Sequence, residues 1–242
     1  MCASAFSAAA LEVFLPAECP CCHGPMPGTR RGLCNDCRSS LVPVAGLRCP
    51  RCGGPNDDPI GSCVSCIAIP PPQRGTVVWG EYDGTLRNAI LALKHRGHDQ
   101  IGEALADRLA ASISLAPWLG CVDMVTTVPS HPLHQLQRGF NAAEIIGRHV
   151  ANALNRPFRP TLRRHGLERQ ASRSRAERKR LQTRRFSIRR SGAIHERAVL
   201  LIDDVITTGT TIKRAVQALL EGGASEVYVA ALALTPDPRS VG

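Results

Sequence analysis

The stretch Val199-Leu200-Leu201-Ile202-Asp203-Asp204-Val205-Ile206-Thr207-Thr208-Gly209-Thr210-Thr211 decides how this chain folds. Its first four residues form the continuous apolar run expected of a strand buried on both faces, as in a parallel sheet. Asp203 and Asp204 stand where that strand is expected to end. A turn of small hydroxyl residues surrounds Gly209, and Ile212 to Leu220 resumes with helical spacing. A strand, an acidic pair, a Thr/Gly loop and a helix start together make a site for a sugar phosphate. Loop N–H groups and the helix N-terminus suit a dianionic phosphate. The hydroxyls of Thr207, Thr208, Thr210 and Thr211 add hydrogen bonds, and Gly209 lets the backbone come close. The carboxylates would repel a phosphate and suit the neutral hydroxyls of a ribose. In the plainer reading Asp204 only caps the helix, but adjacent carboxylates are poor structural filler near a buried strand end. No G-x-x-x-x-G-K-S/T occurs, so a P-loop nucleotide site is not supported.

Upstream of this stretch, strands and helices alternate. Thr76 to Tyr82 reads as a strand, and Thr85 to Lys94 and Gln100 to Ile113 as helices. Asp123 to Val128 is a buried strand ending at Pro129, and a helix spans Asn141 to Leu154. A short strand is expected near Phe158 to Leu162, and a last one over Glu226 to Thr235. The alternation implies an α/β fold, a mainly parallel sheet flanked by helices on both faces. Ligands of such sheets bind beyond the carboxyl ends of the strands. Two polar loops stand there, Pro129 to Asn141 and Asp203 to Thr211.

Ten of the eleven cysteines precede residue 70, and eight form four C-x-x-C pairs: Cys19/Cys22, Cys34/Cys37, Cys49/Cys52 and Cys63/Cys66. Each pair presents two thiolates to one metal ion. Consecutive pairing gives two four-thiolate zinc sites with short spacers; cross-bracing of alternate pairs is also geometrically open. A disulfide framework would need an oxidising compartment, and nothing here directs export. A redox-active C-x-x-C is usually single and attached to a βαβ pattern. Few aliphatic residues lie between positions 19 and 70, so binding zinc and folding this segment are expected to be one event. Cys21 sits inside the first pair, while Cys2 and Cys121 stand apart. Pro70-Pro71-Pro72 forms a stiff linker. The expected division is therefore residues 1–70, an N-terminal helix and double zinc ribbon, and residues 71–242, the α/β domain.

The net charge is +10, and its placement matters more than its size. Between Arg156 and Arg190 there are fourteen Lys or Arg residues and two acids, Glu168 and Glu177, a net +12 that exceeds the charge of the whole chain. A charge run of this kind usually means a solvated face. It also suits sequence-independent binding to nucleic-acid phosphates, although aromatic residues make up only 4% of the chain and stacking platforms are correspondingly few. No apolar run is long enough to span a bilayer. Ser4 to Leu15 lacks the basic start of a signal peptide, so a cytoplasmic protein is expected.

The stretch at Val199–Thr211 resembles the PRPP-binding motif of type I phosphoribosyltransferases. A narrower resemblance covers nearly the whole chain. Four cysteine pairs precede Y-D-G-T-L-R and L-K-H-R-G, then V-P-S-H-P, R-G-F-N-A-A-E, S-R-A-E-R and the terminal acidic motif, in that order. Together they are similar to the ComF family, also called GntX-like, in which a double zinc ribbon precedes a phosphoribosyltransferase-like domain. The stretch Leu167-Glu168-Arg169-Gln170-Ala171 departs from the Pro- or Gln-rich segment the family often carries before S-R-A-E-R.

The resemblance implies a type I phosphoribosyltransferase fold and PRPP as ligand, bound with Mg2+. Asp203 and Asp204 would hold the ribose hydroxyls and balance the developing positive sugar. Thr207, Thr208, Gly209, Thr210 and Thr211 would anchor the 5′-phosphate. Lys94, Arg96, Ser130 and Arg138 would face the pyrophosphate, and Arg173, Arg175, Arg178, Lys179 and Arg180 would lie on a mobile hood. His131 and His134 are loop residues within reach of phosphate. The resemblance also implies a link to DNA uptake in natural competence, with single-stranded DNA and competence helicase or recombination proteins as partners. Two roles remain open, transfer of phosphoribosyl to an acceptor, and a non-catalytic adaptor in which PRPP or a nucleotide acts as effector. Metal analysis of freshly purified protein should find two zinc ions per chain; protein purified without zinc would refute the ribbon reading.

Overall fold

The computed structural model describes residues 17–26, 32–94, 99–130, 140–165, 185–189 and 191–236. At its centre four strands run parallel in the order β3-β8-β7-β4. They are β3 (Gly75–Glu81), β4 (Met124–Thr127), β7 (Ala198–Ile206) and β8 (Glu226–Leu234). Successive side chains of a strand point to opposite faces, and β7 and β8 bury both. Leu200 and Ile202 with Tyr228, Ala230 and Leu232 enter one core. Val199 and Leu201 with Val227, Val229 and Ala231 enter the other.

Three helices cover the first face: α3 (Gly84–Leu93), α4 (Asp99–Ser114) and α5 (Ala142–Ala153). Their buried residues, among them Leu86, Ile90, Leu93, Ile101, Leu105, Leu109 and Ile146, recur three or four positions apart and make one apolar stripe per helix. Asp83 caps α3 by accepting from the Gly84 N–H at 2.7 Å, and Asn141 caps α5 by accepting from the Ala143 N–H at 3.2 Å. On the second face lie α6 (Thr210–Glu221), buried through Ile212, Ala215, Val216 and Leu219, and an antiparallel pair, β5 (Leu162–Arg164) with β6 (Phe186–Ile188).

The cysteine-rich segment is built onto this sheet. Its first lobe carries β1 (Ala17–Glu18), β2 (Pro25–Met26) and α1 (Asn35–Ser39), and its second carries α2 (Val64–Ala68). Cys19, Cys21, Met26, Leu33, Cys37 and Leu41 join the same apolar cluster as Trp79, Leu86 and Ile90. The second lobe covers the free edge of β3. The Thr76 N–H donates to the Pro50 carbonyl at 2.8 Å, the Val44 N–H to Trp79 at 2.7 Å, and the Thr76 hydroxyl to the Arg51 carbonyl at 2.7 Å. Unpaired edge strands invite aggregation, and this contact removes one. Gly53 makes it possible: its φ is +77°, and a Cβ there would stand 2.5 Å from Val78 Cγ2. At the other edge, β4 is bridged by Phe158, with the Val125 N–H donating to Pro157 at 2.9 Å.

Two expectations are corrected. The acidic pair does not end its strand. β7 continues to Ile206, with Asp203 opposite Ala231 and Ile206 opposite Leu234, while the β4 ladder stops at Thr127 opposite Ile202. The carboxylates therefore lie where β7 outruns β4 and has lost one neighbour. The strand expected over Phe158 to Leu162 lies further on, at Leu162–Arg164, because Pro157 and Pro160 allow only an isolated bridge at Phe158. The other strands and helices that were expected fall within two residues of their expected bounds, while the strand at Phe186–Ile188 had no expectation. The N-terminal helix expected over Ser4 to Leu15 lies outside the described residues. Among the described residues, no helix is long and apolar enough to cross a membrane.

Candidate functional site

The two metal sites are formed by consecutive pairs. The Sγ atoms of Cys19, Cys22, Cys34 and Cys37 lie within 4.8 Å of one another, as do those of Cys49, Cys52, Cys63 and Cys66. The two lobes repeat one local geometry. The first cysteine donates its N–H to Gly24 or Gly54 at 2.8 Å and accepts from His23 or Gly53 at the same distance. The third cysteine starts a short helix, and its N–H donates to the first sulfur, Cys34 to Cys19 at 3.4 Å and Cys63 to Cys49 at 3.3 Å. Burial pushes the Cys19 thiol up, but backbone N–H groups of Cys34, Cys22 and Cys21 outweigh it and hold it at about 6. Cys49 is likewise brought to about 7 against burial by Cys63, Cys52 and Arg51. Burial and the neighbouring cysteines push Cys37 and Cys66 up. Four sulfurs within reach of one ion, some poised as thiolates, fit a structural zinc ion in each lobe. Cys21 is buried outside the cluster, with its Sγ donating to the Thr85 carbonyl of α3 at 3.5 Å.

The larger site is a cavity of roughly 340 Å³ beyond the carboxyl ends of β4 and β7. It is lined by Lys94, Val128 to Ser130, Phe140 to Ala142, Arg164, Asp203 to Thr207, Gly209, Thr211 and Ile212. Its size is at the lower end of the range of about 300–1,000 Å³ usual for small-molecule sites. Both polar loops singled out in the sequence meet in it. Asn141 joins them to the fold by donating from Nδ2 to the Val128 carbonyl at 3.1 Å while capping α5.

On the floor, strand alternation sends the two carboxylates to opposite faces. Asp204 faces α3, where Lys94 Nζ lies 2.9 Å from its Oδ2. Asp203 faces the β5–β6 side and accepts the Asp204 N–H at 2.9 Å. Burial, and then the charge of Asp204, raise the Asp203 carboxyl well above the usual range; the Asp204 N–H, Lys94 and Arg164 oppose that rise. Burial and Arg185 in turn lower Arg164, which lies 5.8 Å over the Phe186 ring, while Asp203 holds its charge up.

The loop after β7 turns at Gly209, whose φ of +69° is left-handed and which stands at the N-cap of α6. A Cβ at Gly209 would meet nothing within 4 Å, so the glycine answers a backbone requirement with open space before it. The Thr208 hydroxyl donates to Thr210 Oγ1 at 3.0 Å, and the loop N–H groups and the start of α6 make an anion cradle. On the opposite wall the buried Ser130 Oγ has no hydrogen-bond partner.

Of the residues expected in the site, Asp203, Asp204, Thr207, Gly209, Thr211, Lys94 and Ser130 line this cavity. Thr208 and Thr210 belong to the same loop but are not part of its lining. Arg96, His131, His134, Arg138, Arg173, Arg175, Arg178, Lys179 and Arg180 lie outside the described residues. The described chain flanks that basic stretch at His165 and Arg185, which are hydrogen-bonded to each other at 2.9 Å beside Arg164. Sequence reasoning did not single out Arg164. Arg164 is one of fourteen cations in its segment, and only the position of β5 distinguishes it.

The sequence pattern of the double zinc ribbon domain matches residues 10–67, and that of the phosphoribosyl transferase domain matches residues 142–241. The DNA utilization protein YhgH of Salmonella typhi is 27% identical over 91% of this chain and 98% of its own. Competence protein F of Haemophilus influenzae is 25% identical over the same shares. Competence protein ComFC of Bacillus subtilis is 26% identical over 79% of each chain. Among solved structures, a glutamine phosphoribosylpyrophosphate amidotransferase from B. subtilis matches 59% of this chain and 30% of its own, at 21% identity and a TM-score of 0.44. The two domain matches, with the parallel sheet, define a phosphoribosyltransferase domain behind a double zinc ribbon. Along most of its length the chain is similar to proteins named for DNA utilization and for competence.

The raised Asp203 has a consequence for stability. A carboxyl whose folded pKa is raised costs the folded state free energy at every pH where it must ionise, and nothing once it is protonated in both states. Asp203→Asn should therefore stabilise the protein at alkaline pH, with the gain shrinking as the pH falls toward the ordinary carboxylate range. Urea unfolding of both proteins across that range measures it; a gain that grows on acidification would contradict the raised carboxyl.

Proposed function

We propose that the chain binds PRPP with Mg2+ and transfers its phosphoribosyl group to an acceptor, releasing pyrophosphate. The observation carrying this reading is the floor of the cavity: two carboxylates on β7 stand beside an anion cradle at the start of α6. In such a transfer the protein positions the ligand and stabilises charge. The cradle formed by Thr207 to Thr211 takes the 5′-phosphate. Asp203 and Asp204 accept from the ribose hydroxyls and face the positive charge that develops at the anomeric carbon. Lys94 and Ser130, with Arg96 and Arg138, serve the pyrophosphate side, and Arg164 adds a cation near Asp203. Mg2+ would be held by pyrophosphate oxygens and water with one carboxylate, which matches its preference for hard oxygen ligands. The ion would neutralise the leaving group. The division of the chain near residues 68–74 and a cytoplasmic location belong to the same reading, the latter because thiolate zinc sites need a reducing compartment.

Calorimetric titration with PRPP and Mg2+ should give binding by the wild type, and at least about tenfold weaker binding by the Asp203→Ala/Asp204→Ala double variant. A wild type that does not bind PRPP would overturn the site. Pyrophosphate release over a panel of acceptors then separates transfer from an effector role.

A second reading has its own support. Relatives of matching length carry names referring to DNA utilization and competence, and the +12 segment from Arg156 to Arg190 includes β5, whose Arg164 lines the cavity. In that reading the chain is an adaptor for single-stranded DNA, with PRPP or a nucleotide as effector and competence helicase or recombination proteins as partners. Changing two or three of Arg173, Arg175, Arg178 and Arg180 to Ala should then flatten the salt dependence of DNA binding by about 0.7 per lost phosphate contact. An unchanged slope would remove this segment from any DNA surface.

A further inference from the structure

Lys94 is held in a way that a simple pyrophosphate ligand would not need. It caps the C-terminus of α3, with its N–H shared between the Ile90 and Leu91 carbonyls at 3.2 and 3.1 Å. The helix behind it is fixed by Leu86, Ala89, Ile90 and Leu93, all buried. Its backbone is therefore rigid, while its side chain is a flexible four-carbon stem ending in a compact charge with three donors. That charge is paired with Asp204 at 2.9 Å, with both side chains only about one-fifth exposed, at 22% and 18%. Lys94 and Asp204 both line the cavity. The ammonium thus occupies ligand space on the carboxylate assigned to the ribose hydroxyls.

Resting on the PRPP reading above, we propose that Lys94 is a transferable counter-cation that selects for a ribosyl ligand bearing a diphosphate at its anomeric carbon. Without ligand it neutralises Asp204, which would otherwise stand unpaired next to Asp203 in a partly buried site. When a ribosyl diphosphate enters, its pyrophosphate offers more negative charge than one carboxylate. The ammonium moves to it and releases Asp204 to the ribose hydroxyls. A ligand with a ribose and a 5′-phosphate but no anionic group at C1 must break the same ion pair and gives the ammonium nothing in return. The acidic pair is thus exposed to the sugar only while a compensating anion is present. Departure of pyrophosphate returns the cation to Asp204. The fixed helix end and the mobile stem together supply the hinge this needs, with no backbone movement.

Two ligands on three forms of the full, zinc-loaded chain test it: PRPP and ribose 5-phosphate, each with Mg2+, titrated into wild type, Lys94→Ala and Lys94→Gln. Removing the ammonium should weaken PRPP binding about tenfold or more and strengthen ribose 5-phosphate binding about threefold to fivefold, the scale of one partly screened ion pair. The two ligands must move in opposite directions. Parallel weakening would make Lys94 a fixed brace for the strand end, and a ribose 5-phosphate affinity that does not rise would also overturn the transfer. The Gln variant keeps the stem, and the unliganded melting temperature of each variant separates loss of charge from loss of fold. A wild type that binds neither ligand would defeat the PRPP reading itself. A wild type that binds PRPP, with variants that shift both ligands alike, would defeat only the role of Lys94.

Discussion

Two adjacent carboxylates within a strand buried on both faces, where it outruns one of its neighbours, form an unfavourable electrostatic arrangement, and much of the molecule is arranged around it. Alternation along β7 sends Asp203 and Asp204 to opposite sides of the sheet, so no single cation can serve both. Asp204 takes Lys94 from the end of α3. Asp203 has only the distant influence of Lys94 and Arg164 and one backbone N–H, and burial leaves its carboxyl raised. A structural pair would have been matched with two cations or replaced by apolar residues, since buried charge is seldom retained for stability. The incomplete compensation fits the proposed contact of these carboxylates with neutral ribose hydroxyls.

The cysteine module is physically continuous with that site. Its second lobe hydrogen-bonds the free edge of β3, and its first lobe shares an apolar cluster with α3. The same helix ends at Lys94. Loss of the four-thiolate clusters would therefore expose a sheet edge and one flank of the helix that positions the site's resident cation. This places the zinc module within the architecture of the domain as well as on its surface. The outward side of the second lobe is different in character, with Ile60, Val64, Ile67 and Ile69 exposed beside Asp57 and Asp58. Arg51 is the only Lys or Arg in residues 49–70, and it donates to the Pro71 carbonyl.

Much of this was legible in the sequence. The apolar run at Val199–Ile202 and the helical stripes of α3 to α5 each carry a period that one structure satisfies, and the four C-x-x-C pairs name the metal ligands though not their pairing. The Thr/Gly loop was legible for the same reason, since a left-handed turn before a helix calls for Gly209. The extension of β7 to Ile206 was not. Asp203 and Asp204 look like a strand end by composition, and only pairing with Ala231 to Leu234 on β8 carries the strand past them. The displaced β5 was missed because the two prolines that interrupt Phe158 to Leu162 do not say where pairing resumes.

The sequence by itself determined the elements, the metal ligands and the chemical character of the loop, because these follow from local periodicity and from residue types with few alternative uses. The tertiary structure decided which cysteine pairs share an ion, which expected residues line one cavity, and that Lys94, more than one hundred residues away in the chain, is the partner of Asp204. It also drew Arg164 and Asn141 into the site. Charge neutralisation and cavity lining are long-range properties. They depend on where α3, β5 and β7 end relative to one another, and no local pattern encodes that distance.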